Sequence, residues 1–480
     1  MHELELPDLT TLTSEQKDVL IRLLFAQVQS LIEQVRVMTA RVSELEARLR
    51  KDSHNSSKPP SSDGLKKTRS LRRPSGKKPG GQAGHKGTTL RRVQEPDAVV
   101  AHGLPERCTG CAKFLPLAAA EVAERRQVFD IAVRRYEVIE HHTLRLQCQC
   151  GTLHESRFPA SVSEAVQYGP DIRALAVQLT QGQLLPLARG AQLLGDLYGL
   201  DVSPATLLAW IEEADRLLQP AVANIAQALI AAPVVHADES GLRVAARLHW
   251  LHTAANETHT WYGVHAKRGM EAMAAHGILL KRTAILVHDC WQPYWQLDCE
   301  HALCNAHLLR ELVFLHESTG QTWPQRMIDL LLTARDTCAA APSGAVALTR
   351  AQRRTILARY RAILAQGRAK NPEATGKVGR RGRVKQTPAI NLLRRMRDHA
   401  AEVLRFVTDL RVPFTNNLGE RAIRMPKVKQ KISGCFRTLK GAQHFCIIRS
   451  YLDTMHKQGH NLFELLRRAF RGNPLQPASG

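Results

Sequence analysis

Three carboxylates stand where chemistry on a phosphodiester would need them. Asp238 closes the apolar run Val234-Val235-His236-Ala237, and Asp289 closes a second run that begins at Thr283. Glu420 falls in the first turn of a helical stretch opened by Asn416-Asn417. Hard divalent cations take oxygen ligands, and Mg²⁺ keeps part of its shell open for phosphate. Two such ions ~3.5–4 Å apart steady both the attacking and the leaving oxygen of an in-line displacement. Each acid also has a plainer reading. Asp238-Glu239-Ser240-Gly241 has the composition of a turn. Asp289 can cap a following helix, and Glu420, three residues after Asn417, can be a capping-box glutamate. The order of the three on successive elements is what favours chemistry. Strand alternation sets Glu239 on the face opposite Asp238, so replacing Glu239 by alanine should be tolerated.

Cysteines and cations supply the other candidates. Cys108-x-x-Cys111 has knuckle spacing, and Cys148-x-Cys150 follows it across a strand-like segment. Four thiolates from two turns make a tetrahedral site for one structural Zn²⁺. The single residue between Cys148 and Cys150 departs from the commonest ribbon pattern, which leaves His102, His141 and His142 as substitute ligands. Cys304-x-x-His307 supplies only two ligands, so local packing is its better reading. After Glu420 come Arg421, Arg424, Lys427, Lys429 and Lys431 with no acid between them. Arg424 shares a helix face with Glu420, whereas Pro426 is expected to kink or end the helix before Lys427. The row can hold substrate phosphates or be a solvated basic face. A Gly-rich tip carries Arg380, Arg381 and Arg383 in a stretch, Arg353 to Arg397, with fourteen basic residues and the single acid Glu373.

The elements that must position these groups can be read from periodicity. Ile21, Leu24, Val28, Leu31, Val35, Met38, Val42, Leu45 and Leu49 alternate spacings of 3 and 4, the seam of a coiled coil. Thr13-Ser14-Glu15-Gln16 reads as its capping box. From Gly64 to Gln94 there are ten Lys or Arg and no acid, a composition that cannot bury enough apolar surface to order itself. Gln127–Ile131 and Tyr136–Glu140 alternate as strands. Leu187–Tyr198 and Ser203–Leu218 read as two helices around a short turn, with Ser203 as N-cap and Pro204 at the first helical position, which resembles a helix-turn-helix. From Pro233 the pattern is three strands, a helix from Met270 to Leu280, a fourth strand, and a later helix with an acid. That is the order of a ribonuclease-H-like fold, in which the first and fourth strands lie side by side.

The fold class expected is therefore multidomain α+β. It comprises a coiled-coil dimerisation helix at 1–50, a basic flexible linker at 51–97 and a zinc-finger-like domain at 98–160. A helical DNA-binding domain follows at 165–230. The ribonuclease-H-like core occupies 231–315, is interrupted by a basic helical insertion at 316–410, and resumes with the glutamate helix at 411–452. A helical tail closes the chain at 453–480.

Charge narrows the partners. Lys and Arg number 67 against 44 Asp and Glu, a formal net charge of +23 with a pI near 10.0 in 480 residues. That balance points to a polyanion, above all nucleic acid. No apolar run approaches the ~18 residues of a membrane span, and the start lacks signal-peptide features. A cytoplasmic protein is expected, and in a reducing compartment clustered cysteines bind metal more often than they pair.

Taken with their neighbours, several segments resemble the DDE transposases of the bacterial insertion-sequence-66 family. They are Asp52-Ser53-His54-Asn55-Ser56-Ser57-Lys58-Pro59-Pro60, His236-Ala237-Asp238-Glu239-Ser240-Gly241, His288-Asp289-Cys290-Trp291, Cys304 to Leu312, and Asn416-Asn417-Leu418-Gly419-Glu420-Arg421. Ser433 to Arg437 and Ile448 to Tyr451 add to the likeness. The resemblance implies that Asp238, Asp289 and Glu420 form the catalytic triad around two Mg²⁺ ions, for which Mn²⁺ can substitute. It implies a helical insertion before the glutamate, for which the 131 positions from Asp289 to Glu420 leave room. It supports a zinc finger at the cysteines. It also implies binding to element ends and target DNA as a homodimer or higher oligomer at the nucleoid, helped by small accessory proteins encoded nearby.

Overall fold

The structure is a computed structural model. It describes residues 10–49, 51–52, 54–56, 92–100, 102, 104–115, 118, 121–122, 124–129, 136–150, 153–374, 384 and 386–478. Helix α1 spans Ser14–Leu49. Its expected capping box forms: Gln16 N donates to Thr13 Oγ1 at 3.3 Å, and Thr13 N donates to Gln16 Oε1 at 2.9 Å. The seam residues of α1 stand 44–86% exposed on the single chain.

The expected flexible linker begins as something else. Asp52 Oδ1 accepts from His54 N at 2.8 Å, closing a turn, and the buried Asn55 donates from Nδ2 to Glu317 Oε2 at 3.0 Å. Lys51 Nζ lies 4.4 Å from the centre of the Phe314 ring. The start of the 51–97 segment is thus a turn docked on the body of the protein, through a polar motif that a composition argument does not see. The most basic part of the linker lies outside the described residues.

Strands β1 (Arg145–Gln147) and β2 (Leu153–Glu155) form a small antiparallel pair. An isolated bridge between Arg107 and Phe114 closes a second turn. Tyr136–Glu140 and residues 127–129 join no ladder among the described residues, so the strands expected there are corrected. Their side chains alternate in type, yet Tyr136, Val138 and Ile139 all stay exposed.

A five-stranded sheet centres the rest. Helices α2 (Pro170–Val177), α3 (Leu187–Tyr198) and α4 (Pro204–Ala231) precede it. Its strands are β3 (Val234–Val244), β4 (Arg247–Ala255), β5 (Thr260–His265), β6 (Ile285–His288) and β7 (His301–Leu303), in the order β5-β4-β3-β6-β7. Antiparallel pairing joins β3 to β4 and β4 to β5; parallel pairing joins β3 to β6 and β6 to β7. Helix α5 (Met270–His276) crosses from β5 to β6 and stops earlier than the expected Leu280, because Gly277 takes a left-handed φ of 69°. After β7 come α6 (Asn305–Thr319), α7 (Thr322–Ala339), α8 (Arg350–Lys370), α9 (Pro388–Asp398), α10 (Ala400–Val403) and α11 (Arg405–Thr408). Then follow α12 (Asn417–Ser433), α13 (Leu439–Lys457) and α14 (Leu462–Phe470).

The two faces of the sheet bury different partners. Val235, Ala237 and Leu286 join a core with α2, α3, α4, α13 and α14, while Ile285 and Val287 join a second core with α6 to α11. Alternation along β6 explains the split. The helices of 165–230 and the C-terminal tail therefore share one core with the sheet. The helix-turn-helix expectation holds locally: Gly199 ends α3 at φ 69°, and Ser203 Oγ accepts from Thr206 N at 3.1 Å. Helix α4 nevertheless runs on past Leu218 and through Pro220 to Ala231. Its Glu213 pairs with Arg173 at 2.7 Å and Glu212 with Lys440 at 3.3 Å. Those acids tie α4 to α2 and α13.

Candidate active site

Strand β3 does not end at Asp238. It continues to Val244 and turns at Ala245-Ala246, whose φ values are 47° and 62°. Such a two-residue hairpin usually uses Asn or Gly, so the turn was misplaced at Asp238–Gly241. Asp238 sits mid-strand opposite Thr253 of β4. On its other side the parallel ladder pairs Val234 with Ile285 and His236 with Val287. That offset of 51 puts Asp238 level with Asp289, just beyond the last paired residues. Asp289 does follow the end of β6. Its Oδ1 accepts from Trp291 N at 3.1 Å, so it also shapes the turn after β6, where Cys290 adopts a left-handed φ of 71°.

Glu420 reaches this pair through a clamp that sequence reasoning missed. Asn416 is buried directly before α12 and makes no side-chain cap to the helix. Instead its Oδ1 lies 2.8 Å from His236 Nδ1, and its Nδ2 donates to Ala237 O at 2.8 Å. Both partners belong to β3, next to Asp238. Burial holds the His236 imidazole down at about 4, so the ring is neutral and Nδ1–H donates to the amide oxygen. Gly419 is needed beneath the clamp, since a Cβ there would stand 3.0 Å from Asn416 Oδ1. The capping-box alternative for Glu420 is absent, because the helix begins at Asn417 without a side-chain cap. The Asn416-Asn417 doublet was the available signal; its partner 180 positions upstream was not.

Helix α12 also continues past Pro426 to Ser433, so the stop allowed for there does not occur. Proline leaves the Ala422 carbonyl without its helical donor. The Tyr262 hydroxyl lies 2.8 Å from that oxygen and 2.6 Å from Asp453 Oδ2, so its single hydrogen is shared between the two acceptors.

The electrostatics are those of crowded acids. Burial first, then the charges of Glu239 and Asp289 and, more weakly, of Glu420, hold the Asp238 carboxyl well above its usual range. Among the described residues no Lys or Arg pairs with Asp238 or Asp289. Glu420 Oε1 is turned toward Cys304 Sγ and His307 Nδ1, each 3.8 Å away. On the opposite face Glu239 is buried, as alternation requires. It is not idle: Arg268 Nε donates to it at 2.9 Å and the Tyr294 hydroxyl donates to its other oxygen. Glu239→Ala therefore carries a cost, since it would leave the buried Tyr294 hydroxyl and the half-buried Arg268 without their acceptor.

The basic row divides. Arg421, Arg424 and Lys431 are exposed. Lys427 donates from Nζ to Gly241 O at 2.5 Å, and burial lowers the pKa of both Lys427 and Lys429. Lys427 thus packs against β3, while Lys429 is half-buried. Arg380, Arg381 and Arg383 lie outside the described residues.

Cys108 and Cys111 occupy one turn, where Cys108 N donates to Lys113 O and Ala112 N to Cys108 O, both at 2.9 Å. Backbone hydrogen bonds from this turn lower the Cys108 thiol. Cys148 and Cys150 lie in the β1–β2 turn. Among the described residues the four sulfurs do not all lie within 4.8 Å of one another. Among the described residues, Cys304, His307 and Glu420 form the group whose ligand atoms lie within 4.8 Å of one another.

Two family models match. A model described as Transposase IS66 family spans residues 165–444, and one described as a family of unknown function (DUF6444) spans 4–91. No curated protein matches the chain. The sheet, the insertion and the three acids all lie within the first match, which covers more than half of the chain. The chain belongs to the IS66 transposase family, and its role is that of a transposase, a DNA-binding and DNA-modifying protein. Among the described residues no helix is long and apolar enough to cross a membrane.

Two outcomes follow from the site's packing. Asn416→Ala strands His236 and the Ala237 carbonyl, each a buried polar group. It should cost about 1–3 kcal/mol and lower Tm in a thermal melt; an unchanged Tm would remove the clamp. For Asp238 the sign is fixed by its raised pKa. The fold holds the Asp238 proton more tightly than the unfolded chain does, so its ionisation cost grows as pH rises above 3.8 and is complete above the folded value. Asp238→Asn never ionises. Without metal at pH 8 its Tm should exceed the wild type by about 2 °C, and the gap should close toward pH 4. A less stable variant at pH 8 would contradict the crowding of the acids.

Proposed function

We propose that the chain is a divalent-metal-dependent DNA strand transferase with a ribonuclease-H-like core, in which Asp238, Asp289 and Glu420 bind the catalytic metal. The observation that carries this reading is the β3–β6 register, which sets Asp238 level with Asp289, with Asn416 tying the Glu420 helix to the same strand. The residues fit a hard cation: they are oxygen donors, mutually repelling, and Asp238 and Asp289 have no basic partner among the described residues. Two Mg²⁺ ions bound there would stabilise charge on the attacking and leaving oxygens. The chain's own part is positioning. Asp238 on β3 and Asp289 just after β6 would hold the metals, with Glu420 of α12 as a further ligand. Arg421 and Arg424, exposed beside Glu420, hold the backbone phosphates of the bound strand.

Two further parts complete the reading. The α1 seam pairs with a second copy, giving a dimer that brings two element ends together. Cys108, Cys111, Cys148 and Cys150 would hold one structural Zn²⁺ once the two turns draw together, a reading that rests on the knuckle turn around Cys108. The protein acts on DNA in the cytoplasm, at the nucleoid. The test of reaction type adds target DNA to a cleavage reaction on element-end duplexes. Joined products are expected; cleavage without joining would make the chain a nuclease.

A further inference from the structure

We infer that Cys304, His307 and Glu420 form a binding site for a borderline divalent cation, with Zn²⁺ as its best-matched ion. The site shares Glu420 with the proposed catalytic triad but does not depend on strand cleavage. The cysteine and histidine lie three residues apart at the start of α6, on one helical face. Alone they are two ligands. The fold adds the third from α12, with Cys304 Sγ and His307 Nδ1 each 3.8 Å from Glu420 Oε1 and all three ligand atoms within 4.8 Å.

The donor set and its surroundings both suit a metal. Thiolate, imidazole and carboxylate bind zinc at about 2.3, 2.0–2.1 and 2.0–2.2 Å. Ligand atoms around such an ion stand roughly 3–4 Å apart, so the observed spacing needs only a small contraction. Cys304 is buried, and its sulfur accepts from Asn416 N at 3.1 Å. It also accepts backbone hydrogen bonds from Ala306 and His307 in the first turn of α6. Those donors are outweighed by burial and the Glu420 charge, which push the thiol up to about 12, so a bound cation would have to displace its proton. His307 Nδ1 is buried, points at Glu420, and has no hydrogen-bond partner among the described residues. A cation supplies what that nitrogen lacks. Three protein ligands leave a fourth position open, the arrangement of a zinc site that exchanges its outer ligand.

The consequence is competition for Glu420. A carboxylate oxygen held between a thiolate and an imidazole by Zn²⁺ is withdrawn from Asp238 and Asp289. Zn²⁺ should therefore inhibit any Mg²⁺-dependent reaction of the triad, through a site that Mg²⁺ itself does not favour because of the sulfur.

The test is metal binding by the full chain without DNA. Zinc is measured by mass spectrometry of the metal after equilibration in a zinc buffer, in a Cys108→Ser/Cys111→Ser background that removes the other expected site. One zinc per chain should remain. Adding Cys304→Ser should abolish it, and His307→Gln, at a half-buried position that tolerates the change, should weaken it at least tenfold. Cobalt in place of zinc should give a thiolate charge-transfer band that disappears with Cys304→Ser. Zinc retained at full stoichiometry and affinity in the His307→Gln variant overturns the site. So does the absence of zinc from the background chain while its fold is intact by circular dichroism. Inactivity toward DNA alters neither reading of the result.

Discussion

Asp238→Ala, Asp289→Ala and Glu420→Ala are each expected to abolish strand cleavage and joining while leaving DNA binding nearly intact. Metal-held charge stabilisation contributes several kcal/mol to a phosphoryl displacement, and each 1.36 kcal/mol is tenfold in rate. A fall of about 10³-fold or more should follow in each variant. Affinity comes from elsewhere: the chain carries a net charge of +23, and none of the three acids supplies it. Filter binding and single-turnover cleavage, run on the same preparations, separate the two effects. Glu420→Gln should fail as well, because the amide keeps the shape and loses the charge. A triad alanine variant that cleaves at the wild-type rate would remove that residue from the site. Glu239→Ala no longer serves as the silent control. It should unfold or weaken the protein through Arg268 and Tyr294, and loss of activity there says nothing about metal ligation.

The second large effect belongs to α1. Its nine seam residues stand open on the single chain. At ~25 cal/mol per Å² of apolar area, pairing them supplies several kcal/mol. Val28→Asp with Val35→Asp places two charges at the centre of that seam. Light scattering should report a dimer or larger species for the wild type and a monomer for the double variant at micromolar concentration. A monomeric wild type, or a double variant of unchanged mass, would show that the seam is covered in some other way. Phe25 and Ile32 flank the seam and are also exposed, at 63% and 62%, so the apolar stripe is wider in the first half of the helix.

What could be read in advance follows from the range of the interactions. The α1 cap, the α3–α4 turn and the order of strands depend on neighbours within a few residues, and periodicity exposed them. Asp289 at the end of β6 and Glu420 in the first turn of α12 were legible for the same reason. The misplacements have a common cause. Ala245-Ala246 turns the β3–β4 hairpin without turn residues, because its flanks are fixed by the backbone pairing of Arg243 and Ala245 with Phe436, each at 2.8–2.9 Å. Pro426 is carried inside a helix, and Tyr262, 160 positions away, reaches the orphaned carbonyl. Lys427 reads as part of a phosphate row until its bond to Gly241 of β3 is seen. The clamp from Asn416 to β3 and the meeting of Glu420 with Cys304 and His307 are likewise contacts between distant segments. Local pattern carries no trace of them.

Three acids, on β3, just after β6 and on α12, are proposed to bind the metal for DNA strand chemistry. Their role is tested most directly by incubating the purified full chain with duplexes carrying the element's ends, with Mg²⁺ or with a chelator. The account predicts strand breaks at the element ends that free 3′-hydroxyls, strictly dependent on Mg²⁺ or Mn²⁺, and lost in Asp238→Ala. Breaks that persist in the chelator, or that survive in Asp238→Ala at the wild-type rate, would contradict it.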